Sequence, residues 1–196
     1  MMEIVLATRN SDKVREIRRI LPGLRFLSLK NFPQVPEIEE NGETLEENAI
    51  HKAQEVSVRT GRFALADDSG LEVEALRGRP GVRSSRFAGE GVSYEENNGK
   101  LLLLMSGKCR RGARFRCVVA LAGPGRETIV REGVCRGRIA HSPRGKRGFG
   151  YDPVFIVSSQ GKTFAELPAS VKNDISHRAR ALRKLSRDLS RIKRKL

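Results

Sequence analysis

Two periodicities organise the hydrophobic positions. Ile4-Val5-Leu6 is a continuous apolar run that breaks at Arg9-Asn10-Ser11, the pattern of a short buried strand over 3–8. Val14, Ile17, Ile20 and Leu21 then recur at helical spacing until Pro22-Gly23 ends them. Residues 25–29 read as a second strand, and Pro33 and Pro36 mark a loop. The chain therefore opens strand, helix, strand, as an α/β fold does. Thr44 with Glu47 three residues on forms a capping box ahead of the stripe Leu45, Ala49, Ala53 and Val56, and Gly61 is placed to cap the far end. Residues 63–66 (FALA) read as a central strand that runs into a turn at Asp67-Asp68-Ser69-Gly70, with strand resuming over 71–73.

Beyond it, 78–81 and 89–91 read as loops and 94–105 as a helix despite Gly99. Phe115, Cys117, Val119 and Leu121 alternate in a strand over 114–122, which returns through Pro124-Gly125 into 128–130. Residues 141–150 form a basic, glycine-rich loop before a strand over 153–157. Ile175, Ala179, Leu182, Leu185, Leu189, Ile192 and Leu196 step by three or four along one long C-terminal helix. Its other side holds Arg178, Arg180, Arg183, Lys184, Arg187, Arg191, Lys193, Arg194 and Lys195. No repeat or linker interrupts the chain, which predicts one domain over 1–196.

Charge narrows the partner. The 196 residues include 38 Lys and Arg against 23 Asp and Glu, a formal net charge of +15. That excess predicts an anionic partner: nucleic acid, nucleotide, phosphate or an acidic surface. No apolar run approaches the ~18 residues of a membrane span, and the N-terminal residues lack the pattern of a signal peptide. Cys109, Cys117 and Cys135 show no CxxC spacing, so neither a disulfide framework nor a zinc site is indicated, and a cytoplasmic location fits. Cys117, inside an alternating strand, reads as a small buried hydrophobe.

Six places hold candidate chemistry. Asp67 and Asp68 are adjacent carboxylates at the carboxyl edge of a buried strand, where open α/β sheets put their sites. Their repulsion invites a divalent cation, and oxygen ligands favour Mg²⁺ or Mn²⁺; the alternative is a turn held by Asx hydrogen bonds. Glu39 and Glu40, before Gly42, either complete such a site or are solvated. The junction Thr8-Arg9-Asn10-Ser11-Asp12-Lys13 aims backbone N–H groups at one point, which suits an anion, although the P-loop pattern is absent. In residues 148–153 (GFGYDP), glycines let backbone approach a flat ligand, and Phe149 either stacks on a base, worth ~1–3 kcal/mol, or fills the core. Ser176 is a good N-cap. His177 and Arg178 in the next turn oppose the helix dipole by ~0.3–1 kcal/mol each if charged, which points to a ligand there, with Lys172 in reach; the alternative for His177 is a surface histidine. The basic helix face reads as a solvated face, or else a salt-sensitive nucleic-acid surface, without the aromatic interleaving of a known motif.

Together these segments resemble the inosine/xanthosine triphosphate pyrophosphatase family. The motifs are TRNSDK (8–13), ENAIHKA (47–53), ADDSGL (66–71), PGVRSSRF (80–87), GFGYDP (148–153) and SHRARAL (176–182), in the family's order and spacing. The resemblance implies an elongated, two-lobed α/β fold with a twisted mixed β-sheet flanked by helices and an active-site cleft between the lobes. It also implies a homodimer and a need for Mg²⁺, with Mn²⁺ as a substitute. The implied reaction converts ITP, dITP or XTP to the monophosphate and pyrophosphate, keeping such nucleotides out of DNA and RNA. By motif, Thr8, Arg9, Asn10, Ser11, Asp12, Lys13 and Lys52 are the implied triphosphate ligands. Asp68 is implied to bind the metal and to act as, or orient, the general base, with Ser69 beside it and either Glu39 or Glu40 as a further metal ligand. Phe149, Gly150, Tyr151, Asp152, Lys172, His177 and Arg178 are implied to frame the purine.

The sequence departs from the family at Arg9, where a small residue is usual, and at Gly145-Lys146-Arg147, where small residues are usual; both changes add positive charge near the expected site. Two rival readings remain in view. A nucleic-acid-binding protein does not account for Asp67-Asp68 or GFGYDP. A Maf-type pyrophosphatase acting on pyrimidine or modified nucleotides is expected to lack SHR and GFGYDP.

Overall fold

The computed structural model describes residues 3–193. Among them the elements run β1 (Glu3–Leu6), α1 (Ser11–Ile20), β2 (Arg25–Ser28), α2 (Leu45–Thr60), β3 (Phe63–Val73), β4 (Pro80–Gly81), α3 (Tyr94–Leu104), β5 (Gly112–Ala122), β6 (Ile129–Ile139), β7 (Phe155–Val157), α4 (Ala169–Ile175) and α5 (His177–Lys193). The strands form one mixed sheet in the order β2-β1-β3-β5-β6-β7, with β4 beside β3. β1 runs parallel to both β2 and β3, pairing Ile4 with Phe26 and with Phe63. The short β4 and β7 are antiparallel to β3 and β6. The expected α/β class with a mixed sheet is the one observed.

Local signals explain the helices. Asn10 caps α1 by accepting from the Asp12 and Lys13 amides. Thr44 caps α2 through the Glu47 amide at 3.1 Å, while Glu47 turns its carboxylate to the Glu43 amide at 2.8 Å, one residue earlier than a full capping box requires. Gly61 ends α2 in the left-handed region at φ +64°, as its position in the sequence predicts.

The chain divides into two compact units. The first comprises Met1–Asp68, Cys117–Gly133 and Arg178–Leu196; the second comprises Ser69–Arg116 and Val134–His177. The first buries Ile4 and Leu6 of β1, Ile17 of α1, Leu65 of β3 and Cys117, Val119 and Leu121 of β5 beneath Ala181, Leu182, Leu185 and Leu189 of α5. Each such leucine contributes roughly 1.5–3 kcal/mol on burial, which anchors α5 and with it the position of Arg178. The second unit packs Leu71, Val73, Leu101, Met105, Phe115, Phe155 and Phe164.

Three sequence expectations change. The strand–turn–strand expected around Asp67 is one uninterrupted strand: Leu71 and Val73 are buried like Ala64 and Leu65, and each of the two aspartates between them meets protein partners through Oδ2. The hairpin return expected over 128–130 extends to Ile139 as β6. The long C-terminal helix opens after Ser176, as its cap signal predicts, but Ile175, read on its apolar stripe, ends a separate helix: Ser176 is extended (φ −67°, ψ 162°) and separates α4, which holds Lys172 and Ile175, from α5. Of the predicted α5 stripe and basic face, Leu196, Arg194, Lys195 and the side chain of Lys193 lie outside the described residues.

Candidate active site

The first unit gathers its charged residues around β3. Asp67 is 1% exposed. Its Oδ2 accepts from Arg178 Nε at 3.1 Å and Nη2 at 2.9 Å and lies 3.3 Å from Lys13 Nζ. Its backbone carbonyl accepts from Lys52 Nζ at 2.9 Å and Lys13 Nζ at 3.3 Å. Asp68 Oδ2 instead accepts from Asn48 Nδ2 of α2 at 3.1 Å. Asn48 Oδ1 in turn accepts from the Gly42 amide at 2.8 Å, tying the preceding acidic loop to the helix. Lys52 also donates to Glu40 Oε1, and Arg178 Nη1 pairs with Glu16 Oε2 of α1.

This geometry answers the repulsion expected of adjacent carboxylates. Successive side chains of a strand leave on opposite faces. Asp67 therefore meets Lys13 and Arg178, while Asp68 meets Asn48 of α2. The dipole conflict expected of Arg178 is also met from within the protein, by Asp67 and Glu16.

Burial and charge set the proton affinities. Burial alone raises the Asp67 carboxyl, but Lys13, Arg178 and Lys52 outweigh it and hold it well below the usual carboxylate range. Burial wins at Asp68, against Lys52 and Lys13 and with help from Glu40, so its carboxyl is raised. At Glu40, burial is overcome by Lys52 and Lys13, and its carboxyl is lowered. Burial lowers the Lys13 ammonium, yet Asp67 carries it above its ordinary value.

The predicted phosphate turn is built by its own side chains. Thr8 Oγ1 accepts from the Asn10 amide at 3.2 Å, and Asn10 Oδ1 accepts from Asp12 and Lys13 at 2.9 and 3.2 Å. Ser11 is exposed, and Asp12 pairs with Arg15 at the surface. Arg9, the departure from the family pattern, donates Nη2 to the Val35 carbonyl at 3.0 Å, fastening the loop that carries Glu40. The two loop glutamates differ. Glu40 joins Lys52 in the cluster, whereas Glu39 is exposed and accepts from Asn41 Nδ2 at 2.7 Å.

The donors fit a hard divalent cation. Asp68 is a buried carboxylate whose ionised form burial disfavours, and Glu40 is near enough to disfavour it further; both present oxygen, the ligand Mg²⁺ and Mn²⁺ select. Among the described residues no three His, Cys, Asp or Glu side chains converge as a protein-only cage. A magnesium-class ion commonly keeps waters and takes substrate phosphate oxygens, so two carboxylates suffice.

The second unit holds the aromatic motif. Gly148 sits at φ +77°, and a Cβ there would fall 1.9 Å from Asp152 Oδ2. That oxygen accepts from the Phe149 amide at 2.9 Å and from the buried Lys172 ammonium. Lys172 Nζ lies 4.6 Å from the Phe149 ring centroid and 5.6 Å from that of Phe164. Tyr151 donates its hydroxyl to the Ser84 carbonyl at 2.9 Å, and burial pushes that hydroxyl above its ordinary pKa. His177 is not a surface histidine: it is 4% exposed and stacks on Phe115 with centroids 4.5 Å apart and planes at 12°. Ser69 is half-buried on β3. Of the basic loop, Lys146 is exposed and Arg147 donates to the Glu166 carbonyl at 3.2 Å.

Sequence reasoning missed two groups. Glu16 looked like any polar helix position. The run Asn97-Asn98-Gly99 inside α3 carried a signal, since asparagine and glycine are poor helix formers and both asparagines are buried. Asn97 bonds the Ser85 carbonyl and the Ala88 amide at 3.0 and 2.8 Å, and Asn98 the Gly150 carbonyl at 3.0 Å.

Known proteins are similar to this chain over nearly its full length. Residues 4–188 match the model of the Ham1 family. The chain is 53% identical over 186 residues to the dITP/XTP pyrophosphatase of Geobacter sulfurreducens, covering 93% of this chain and 94% of the relative. It is 49% identical over 191 residues to the dITP/XTP pyrophosphatase of Bacillus subtilis, covering 95% and 96%. The solved structure of a HAM1 protein from Coxiella burnetii superposes with a TM-score of 0.89 at 45% identity, covering 97% of this chain and 100% of that one. The Staphylococcus aureus Ham1 structure gives 0.88 at 41% identity, covering 96% and 98%. Motif order, near full-length identity and backbone agree, and the chain belongs to the Ham1 family.

Proposed function

We propose that this protein is a Mg²⁺-dependent nucleoside triphosphate pyrophosphatase. It hydrolyses ITP, dITP and XTP to the monophosphate and pyrophosphate, and so protects DNA and RNA from these bases. The observation that carries the reading is the buried cluster in which Lys13 and Lys52 converge on the Asp67 carbonyl beside the carboxylates of Asp68 and Glu40. Family membership and relatives named dITP/XTP pyrophosphatase support it.

Each role follows from the chemistry of the side chain. Lys13 and Lys52, with the turn Thr8 to Asp12, neutralise and orient the triphosphate. Asp68 takes the proton of the attacking water, and its raised proton affinity suits that task. Asp68 and Glu40, rather than Glu39, hold the metal, which when bound polarises phosphoryl oxygen and lowers the pKa of water. Asp67 keeps both lysines and Arg178 in place and remains ionised throughout. Phe149, Gly150, Tyr151, Asp152, Lys172, His177 and Arg178 frame the purine, with Phe149 as the stacking surface. Hypoxanthine and xanthine present a 6-oxo acceptor, whereas adenine presents a 6-amino donor. A donor facing that edge is left unsatisfied by adenine at ~1–3 kcal/mol per group.

The working form is a cytoplasmic homodimer, as the family resemblance implies. Among the described residues no helix is long and apolar enough to cross a membrane. Sedimentation at micromolar protein tests the dimer.

Pyrophosphate release with Mg²⁺ from ITP, dITP, XTP, ATP, GTP and dTTP tests the function. The first three are expected to turn over well and the others poorly. Equal rates on all six refute the base reading, and no release from any refutes the activity. Asp68→Asn is expected to lower kcat by at least about 10²-fold with an unchanged circular dichroism spectrum; retained turnover removes Asp68 from the mechanism.

A further inference from the structure

α3 touches both motif segments of the second unit with side chains from successive turns. Tyr94 and Asn98 are one turn apart and share a face. The Tyr94 ring lies 6.0 Å from the Phe149 ring at 45°, and Asn98 Nδ2 donates to the Gly150 carbonyl at 3.0 Å. Asn97 holds the other segment through Ser85 and Ala88, and Lys100 Nζ donates to the Phe87 carbonyl at 2.7 Å. Tyr151 closes the two segments on each other through Ser84.

Gly150 needs such a tie. It sits at φ +62°, and apart from its chain neighbours no heavy atom lies within 4 Å of where a Cβ would be. Asn98 is 6% exposed and sits in the interior of a helix, where asparagine is locally unfavourable because it competes for backbone hydrogen bonds. Its bond to the Gly150 carbonyl offsets that cost and joins the helix to a glycine at positive φ.

We propose that Asn98 is a positioning residue for base selectivity. By holding the Gly150 carbonyl, with Tyr94 against the neighbouring Phe149 ring, it fixes the height and tilt at which that ring meets a purine, without touching the purine. The inference rests on the reading of Phe149 to Asp152 as the base frame. Stacking is sensitive to ring placement, and small displacements of a positioned group carry large penalties.

Two measurements on the intact chain test it. The sequence has no tryptophan, so Phe149→Trp makes residue 149 the sole indole emitter. Adding Asn98→Ala is expected to lower its fluorescence anisotropy and to raise acrylamide quenching about twofold or more in nucleotide-free protein, as a loosened loop samples more states. Kinetically, Asn98→Ala in the natural background is expected to raise KM for dITP about tenfold, leave kcat within about threefold, and lower the dITP-to-dATP ratio of kcat/KM about tenfold. Unchanged anisotropy with KM and ratio within twofold of the parent overturns the proposal. Should Asn98→Ala fail to fold, Tyr94→Ala at a 39% exposed position decides it, with an expected shift of the same sign and a twofold threshold for refutation. Phe149→Ala separates the two levels. A ratio unmoved by Phe149→Ala defeats the base-frame reading, whereas a ratio moved by Phe149→Ala and unmoved by Asn98→Ala defeats the positioning role alone.

Discussion

Arg178→Ala probes the charge balance at the start of α5. The side chain is 2% exposed and lies between Glu16 and Asp67, to which it donates through Nε, Nη1 and Nη2. Alanine removes that partner from both Glu16 and Asp67. Breaking a buried ion pair on one side costs about 3–5 kcal/mol, a large part of the ~5–15 kcal/mol that holds a domain together. For a chain of this length each kcal/mol moves Tm by about 2–4 °C, so a fall of about 6–20 °C is expected by calorimetry or thermal circular dichroism. Adding Glu16→Gln neutralises one of the two carboxylates that lose the guanidinium and is expected to restore part of the loss, a coupling of about 0.5–3 kcal/mol.

The pH dependence follows from the lowered carboxyl of Asp67. A carboxyl lowered in the native state contributes stability that is complete above its unfolded value, near 3.9, and fades as pH falls toward the native value. The parent and Arg178→Ala curves should therefore run apart at neutral pH and converge below about pH 4. A Tm fall under about 2 °C, or a gap that persists undiminished at pH 3, refutes the reasoning.

Two further substitutions test other parts of the scaffold. Gly148→Ala places a Cβ 1.9 Å from Asp152 Oδ2 at φ +77°, and such strain costs ~1–3 kcal/mol; KM for dITP is expected to rise more than kcat falls, and an unchanged KM refutes the tight turn. Thr44→Ala frees the Glu47 amide at the start of α2 and is expected to lower stability by ~1 kcal/mol in urea unfolding with kcat preserved.

The elements with unambiguous local signals were legible before the structure. The apolar run of β1, the Thr44 cap and Gly61 stop of α2, and the stripe of α5 all state their roles within a few residues. Ser176 was legible as a cap, but not that the backbone becomes extended there and leaves Ile175 on a separate helix. The acid pair was found, but its setting was misjudged. Two aspartates followed by Ser-Gly favour a turn locally, and only cations contributed by α1, α2 and α5 make a strand tolerable there. Those partners are far apart in sequence: Arg178 is 111 positions from Asp67 and 162 from Glu16. The choice between Glu39 and Glu40 was open for the same reason, because only the packing of the loop against Lys52 distinguishes them.

The straight passage of β3 through the acid pair makes residues 63–66 a ruler. Their pairing with β1 is set by apolar contacts, Ile4 with Phe63, Val5 with Ala64 and Leu6 with Leu65. Because side chains alternate, deleting or inserting one residue ahead of Asp67 exchanges the faces of the two aspartates while keeping every residue type in the chain. Asp68 would then confront Arg178, and Asp67 would confront Asn48. The spacer between strand register and acid pair can thus drift only in steps of two. A search for distant relatives, or a redesign of this strand, should hold its parity fixed even where its composition is free to change.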